Sequence, residues 1–151
     1  MKKRIPLLLF VGAIAASVVL LPSPHRVASD EEVDIIVNKA NTTGDLPLAD
    51  AKKIFVGDKT TWPNGKRVTI LMLAAGQPER SVVLQQIYKM SDAEYGKYFM
   101  QAAFSGNVSA PPKDVGTPAQ MKQAVAENPG AIGYVKKGDV DDTVKVVLKL
   151  M

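Results

Sequence analysis

The chain contains no cysteine. Disulfide staples, thiolate metal sites and thiol nucleophiles are therefore all excluded, and the fold must stand on its apolar core. Histidine occurs once, at His25. It falls in an N-terminal segment that reads as removable, so a histidine triad or a histidine metal site is not expected in the rest of the chain. A surplus of one charge sign is also missing once that segment is set aside. The formal net charge of +4 comes from 19 basic and 15 acidic residues. Lys2, Lys3, Arg4 and Arg26 precede residue 30 and no acid does, so removing those four from 19 leaves 15 of each sign. Nothing then supports a nucleic-acid or anionic-membrane surface. No nucleophile–base pair, carboxylate pair or metal cluster stands out, and the function expected is not enzymatic. No cofactor and no metal are expected; Asp139, Asp141 and Asp142 lack the spacing of a calcium loop and read as a solvated turn.

What is present begins with Met1-Lys2-Lys3-Arg4 and an apolar run from Ile5 to Leu21. A basic start, an apolar segment and small residues at Val27-Ala28-Ser29 describe a secretory signal peptide over residues 1–29. The expectation is a periplasmic or secreted domain over residues 30–151, with no stable membrane span after cleavage. A retained anchor is the other reading, since the run is close to the minimum spanning length.

Val33 to Val37 is rich in β-branched residues and reads as a strand. Asn38 to Asp45 is a polar loop. Leu46-Pro47 opens a helix whose face carries Leu48, Ala51, Ile54 and Phe55, and Gly57 ends it. Val68 to Leu73 is apolar on both faces, as in an interior strand. Ala74 to Pro78 turns into a helix bearing Val82, Val83, Leu84 and Ile87. Ser91-Asp92-Ala93-Glu94 is a capping box, and the helix behind it directs Tyr95, Phe99, Ala102 and Tyr98 inward. An extended loop follows from Ala110. Thr117-Pro118-Ala119-Gln120 is a second capping box with Pro just inside, and the helix it opens is buried along Met121, Ala124 and Val125. Asn128-Pro129-Gly130 stops that helix, and Ala131 to Val135 forms a buried strand whose two small residues permit close approach. Thr143 to Leu150 alternates, with Val144, Val146, Leu148 and Leu150 on one face. Strands alternate with helices, which predicts an α/β sandwich with a mostly parallel sheet and a last strand able to run antiparallel at an edge.

Ile54-Phe55-Val56-Gly57 with Trp62-Pro63, the Val68–Leu73 strand with its polar turn, Phe104-Ser105-Gly106, Pro111-Pro112 and Asn128 to Val135 occur in one order. In that order the chain resembles the second lobe of phosphate-type periplasmic substrate-binding proteins over most of residues 33–135. The resemblance implies a three-layer α/β sandwich, a single lobe of the type II periplasmic-binding-protein fold. It also implies kinship with the substrate-binding component of a phosphate ABC transporter, with phosphate or a related oxyanion as ligand. The family places an Arg and then a Ser-Gly-Thr cradle after the central strand; here the segment is Ala74 to Ser81, and that cradle is absent as such.

The candidate anion site is therefore the start of the Ser81 helix: Gly76, Arg80, Ser81 and Val82. Free N–H groups and the helix dipole favour an anion there, and Arg80 adds a charged fork. Glu79 opposes it, and Glu79 and Ser81 equally serve as ordinary first-turn stabilisers. Thr42 and Thr43, in the loop after the first strand, offer hydroxyls without positive charge; a plain turn is the alternative. Trp62 either covers the end of the core or stacks on a ligand. Tyr134 faces the core or the former cleft. Lys136-Lys137 reads as a solvated pair. The rival functional reading is a ligand-free module that pairs with a second copy, as a homodimer, or with another envelope protein.

Overall fold

A computed structural model describes residues 32–108 and 111–151. The segment expected to be a signal peptide, residues 1–29, lies outside the described residues. Five strands, β1 (Val33–Asn38), β2 (Thr69–Leu73), β3 (Lys113–Val115), β4 (Ala131–Lys136) and β5 (Val144–Leu150), form one sheet in the order β3-β2-β4-β1-β5. β2 is parallel to β3 and β4, while β1 is antiparallel to both β4 and β5. Four strands thus point one way and β1 alone is reversed, so the sheet is mostly parallel as expected. The reversal sits inside the sheet, and the edge strand β5 runs with the majority. β1 carries six buried residues in a row, the pattern of a strand covered on both faces.

Helices α1 (Leu48–Phe55), α2 (Pro78–Val83), α3 (Asp92–Ser105) and α4 (Pro118–Glu127) make the outer layers. Gly133 sets which face α4 takes: a Cβ built on it would lie 2.4 Å from Met121 Sδ and 3.2 Å from Val125 Cγ2. Successive side chains of a strand point to opposite faces. Tyr134 therefore projects into the other layer, where its hydroxyl reaches the β2 backbone and the Arg80 side chain of α2 lies nearby. In that layer α2 continues as a π-helical turn over Leu84–Tyr88, ended by Lys89 in the left-handed region at φ 57°. Tyr88 donates to Phe55 O of α1 at 2.9 Å and meets Tyr95 edge-on at 5.0 Å. Edge-to-face pairs of this kind contribute about 0.5–1.5 kcal/mol beyond burial.

Of the two capping boxes expected, the first is reciprocal and the second forms only its Thr117 half. Ser91 and Glu94 make the reciprocal box at α3, and Thr117 Oγ1 accepts from Gln120 N at α4. Three expectations change. Pro47 is the N-cap of α1 and not its first residue, and Leu48 is 38% exposed while Leu46 is buried. The reason is that Leu46 N–H donates to Val147 O at 2.7 Å, which draws Leu46 onto the sheet edge. Tyr98 stays exposed, whereas Tyr95, Phe99 and Ala102 are buried. In β5 the alternation breaks: Ile35 pairs with Leu148 and Ile36 with Val146. Val147 is the extra residue of a bulge, so Val144, Val147 and Leu150 are buried while Val146 and Leu148 are only half-buried.

Candidate functional site

Adjacent parallel strands whose helices leave to opposite faces open a crevice beyond their carboxyl ends, the usual place for a ligand in an α/β sheet. β2 and β3 meet that condition, because β2 leads into α2 and β3 leads into α4. The mouth between them is rimmed by Ala74 to Gln77 and by Gly116-Thr117. Gln77 Nε2 donates to Gly116 O at 3.4 Å and ties the two rims together. Gly76 has φ +91° with nothing within 4 Å of a built Cβ, so the first rim turns sharply and its backbone is open to approach. Pro78 has no N–H, Gln77 N–H donates to Ala74 O and Arg80 N–H to Gln77 O. The N–H groups of Ala75, Gly76 and Glu79 have no partner among the described residues, and neither do those of Gly116 and Thr117.

Beneath the mouth lies a polar brace centred on Arg80, which is 6% exposed. Its Nη1 donates to Leu73 O at 2.6 Å, and Nε and Nη2 donate to Asp92 Oδ1 at 3.0 and 2.8 Å. Asp114 Oδ1 stands 3.5 Å from Nη1, and the guanidinium carbon lies 4.9 Å above the Tyr95 ring. Burial pulls the Arg80 pKa down, but the hydrogen bond and charge of Asp92 outweigh it and the net shift is upward. Burial also pushes the Tyr95 hydroxyl up to about 12. Leu73 N–H donates to Tyr134 Oη at 2.9 Å. The two β2–β4 register pairs end at Ile70–Ile132, so beyond that point two side chains, Tyr134 and Arg80, satisfy the Leu73 backbone. Burial raises the Tyr134 pKa well above the usual tyrosine range. Glu79 is 2% exposed; its Oε1 lies 3.9 Å from Lys136 Nζ, and Oε2 has no partner among the described residues.

The candidate residues are therefore split. Gly76 lines the mouth. Arg80 is the brace below it, with most of its N–H groups already engaged. Ser81 is exposed and lines a groove with Gln85, Ser91 and Asp92 toward the start of α3. Val82 packs half-buried against the core. Thr42 and Thr43 follow the reversed strand β1, which ends beside the start of β4; they sit at the opposite end of the sheet from Gly76. Thr43 N–H donates to Asn41 Oδ1 at 2.8 Å, an ordinary Asx turn. Trp62 is 2% exposed and donates to Gly130 O at 2.9 Å, so it closes the core. Lys136 is not a plainly solvated side chain, because it lies half-buried beside Glu79.

The sequence reasoning passed over Gln77, Asp92, Asp114, Gly116 and the rim position of Thr117. Thr117 carried only a capping signal. Lys113-Asp114-Val115 is a short exposed edge strand without a hydrophobic pattern, and the pairing of β3 with β2 is what brings it to the site. No group of potential metal ligands occurs among the described residues, and no helix there is long and apolar enough to cross a membrane.

No protein-family model matches the sequence, and no curated protein matches it. Solved structures do. An ABC-type phosphate transport receptor from Vibrio cholerae superposes with TM-score 0.61 at 20% identity, over 80% of this chain and 50% of that one. A protein with bound phosphate from Clostridium perfringens, described as a phosphate ABC transporter substrate-binding protein, gives TM-score 0.60 at 24% identity, over 76% of this chain and 43% of that one. PstS from Borrelia burgdorferi gives 0.56 at 11% identity, over 76% of this chain and 46% of that one. The chain thus spans half or less of the length of these receptors. What it shares with them is the fold, at the size of a single lobe of the phosphate-type periplasmic binding proteins.

Proposed function

We propose that this chain is an exported, non-enzymatic solute-binding domain that takes phosphate or a related oxyanion weakly at the mouth between β2 and β3. One observation supports the reading: backbone N–H groups of two separate loops, Ala75-Gly76 and Gly116-Thr117, have no partner among the described residues and flank the switch point of the sheet. Concave clusters of N–H groups bind anions without needing a positively charged side chain. The fold shared with phosphate receptors supports the same ligand class. In this reading the domain works in the periplasm or is secreted, and it relates to the substrate-binding component of a phosphate ABC transporter.

The electrostatics around the mouth keep the affinity low. Arg80 and Lys136 face Glu79, Asp92 and Asp114, so the local sum is one negative charge. A dissociation constant on the order of millimolar, about −4 kcal/mol, is expected. Protein-observed NMR with inorganic phosphate at low salt tests this. Shifts confined to Ala74–Ser81 and Val115–Thr117 are the expected result, and a flat titration into tens of millimolar overturns it.

A second reading, a self-associating or partner-binding module, draws on α3. Met100 and Phe104, one turn apart on that helix, are 57% and 89% exposed, and together they would seed an apolar contact surface. Sedimentation velocity at high protein concentration addresses it; a monomer that captures nothing from an envelope extract counts against it.

A further inference from the structure

Resting on the oxyanion reading above, we infer that Asp114 is a built-in competitor for the anion, a carboxylate that occupies the charge of Arg80 on the side facing the mouth. Arg80 has five N–H donors. Asp92 takes that of Nε and one of the two on Nη2, and Leu73 O takes one from Nη1, which leaves one proton on Nη2 and one on Nη1. The remaining Nη1 proton faces Asp114 at 3.5 Å, a separation of charges longer than a good hydrogen bond.

The two carboxylates differ in how firmly they are held. Asp92 belongs to the first turn of α3 and receives two short bonds. Asp114 receives none, and its side chain is 75% exposed. Its strand is a three-residue edge strand, Lys113–Val115, paired on one side only. Asp114 is therefore the partner of Arg80 that yields most easily, and it stands two residues before Gly116 at the rim. An incoming oxyanion meets it in two ways: it competes for the same Nη1 proton, and it is repelled by the carboxylate charge. Removing that charge while keeping its shape abolishes the repulsion and weakens the competition, since an amide oxygen is a poorer acceptor than a carboxylate.

The test is calorimetric titration of inorganic phosphate, at one low ionic strength, into wild-type protein, D114N and D142N. Asp142 is exposed in the turn before β5, whose neighbour Asp141 pairs with Lys122 of α4. Neutralising it changes the net charge equally, on the far side of the sheet from Arg80. D114N is expected to bind phosphate about two- to tenfold more tightly than wild type, the range for an exposed ion pair plus one nearby repulsion. D142N is expected to match wild type. Equal affinity of D114N and wild type, or equal tightening by D142N, overturns the competitor role while leaving the oxyanion reading in place. Absence of binding by all three proteins removes both. The exposure of Asp114 keeps folding out of the comparison, and thermal melts of the three proteins verify that.

Discussion

Gly130→Ala should be the most damaging glycine-to-alanine change among the described residues. A Cβ built on Gly130 lies 2.0 Å from the Arg67 carbonyl oxygen and 3.2 Å from the Arg67 carbonyl carbon. Both atoms are backbone, so no rotamer change relieves the clash and one of the two segments must move. Gly130 O accepts from Thr69 N–H at 2.9 Å and from Trp62 Nε1 at 2.9 Å, and Gly130 N–H donates to Asn128 Oδ1 at 2.9 Å. Overpacking alone costs about 1–3 kcal/mol. Each buried hydrogen bond lost in the adjustment adds about 1 kcal/mol, more where a donor such as the Trp62 indole is left without a partner. The expected loss is about 3–5 kcal/mol, a large share of the roughly 5–15 kcal/mol of a typical domain. That corresponds to a fall in Tm on the order of 10–20 °C. Trp62 is the only tryptophan in the chain, so its fluorescence in a urea titration reports both the global transition and the state of this contact. A fall of less than about 3 °C with unchanged emission would refute the argument, because it would mean that the Arg67 and Gly130 backbones can separate freely.

Two further substitutions probe the charged groups. Arg80→Lys keeps a positive charge but loses the fork that holds Asp92 and Leu73 O together, and it loses the stacking on Tyr95. A loss of about 2–4 kcal/mol in urea denaturation is expected, and a neutral result would show that the brace is ornamental to the fold. Asp34 is 3% exposed with Oδ1 unpartnered among the described residues. Burial and then the charge of Glu32 raise its pKa, and Lys149 and Lys137 offset only part of that. An acid with a raised pKa binds more protons folded than unfolded, so it subtracts stability as pH climbs out of the ordinary aspartate range and through the folded value. Asp34→Asn should therefore stabilise the protein at pH 7 more than at pH 4, in paired thermal melts; a difference that is flat with pH, or larger in acid, contradicts the burial argument.

The elements that announce themselves in the sequence are those whose signal is local. Asn128-Pro129-Gly130 ends α4 because Pro and Gly act on their own backbone, and Ser91 with Glu94 makes its box within four residues. The strand with Ile132 and Val135 reads as buried from composition alone. The elements that escape are set by pairing across the chain. The reversal of β1 depends on which strands flank it, and a run such as Val-Asp-Ile-Ile-Val has no direction. The Val147 bulge lies in the pairing of β5 with β1, and the Val147 carbonyl is taken by Leu46, far earlier in the chain. For the same reason the site was only half legible. Gly76 and Arg80 follow directly from the strand β2 and its turn, but β3 becomes visible only when it lies beside β2. Thr42 and Thr43 were a second candidate because they too follow a strand, and only the reversed direction of β1 places them at the far end of the sheet.

The brace also explains how a polar mouth can persist in a fold of this size. In an α/β lobe the carboxyl ends of the strands gather dipoles and charged side chains, and a buried guanidinium with no partner there would cost several kcal/mol. Here the demands of the guanidinium and of the Leu73 backbone are met from within the lobe. Arg80 has Asp92, Asp114 and Leu73 O, and Leu73 N–H has Tyr134. Folding does not wait for a ligand to satisfy the arginine. The same arrangement limits what a ligand can gain, since the strongest cation of the site has already given up most of its donors. A receptor that leaves its arginine unsatisfied binds tightly and is stabilised strongly by its anion; this chain should show the reverse. Saturation to tenfold above a millimolar Kd stabilises by about RT ln 11, or roughly 1.4 kcal/mol, so phosphate at about 10 mM should raise Tm by only a few degrees. A rise of 10 °C or more at that concentration would mean that the N–H groups of the two rims outweigh the carboxylates around them.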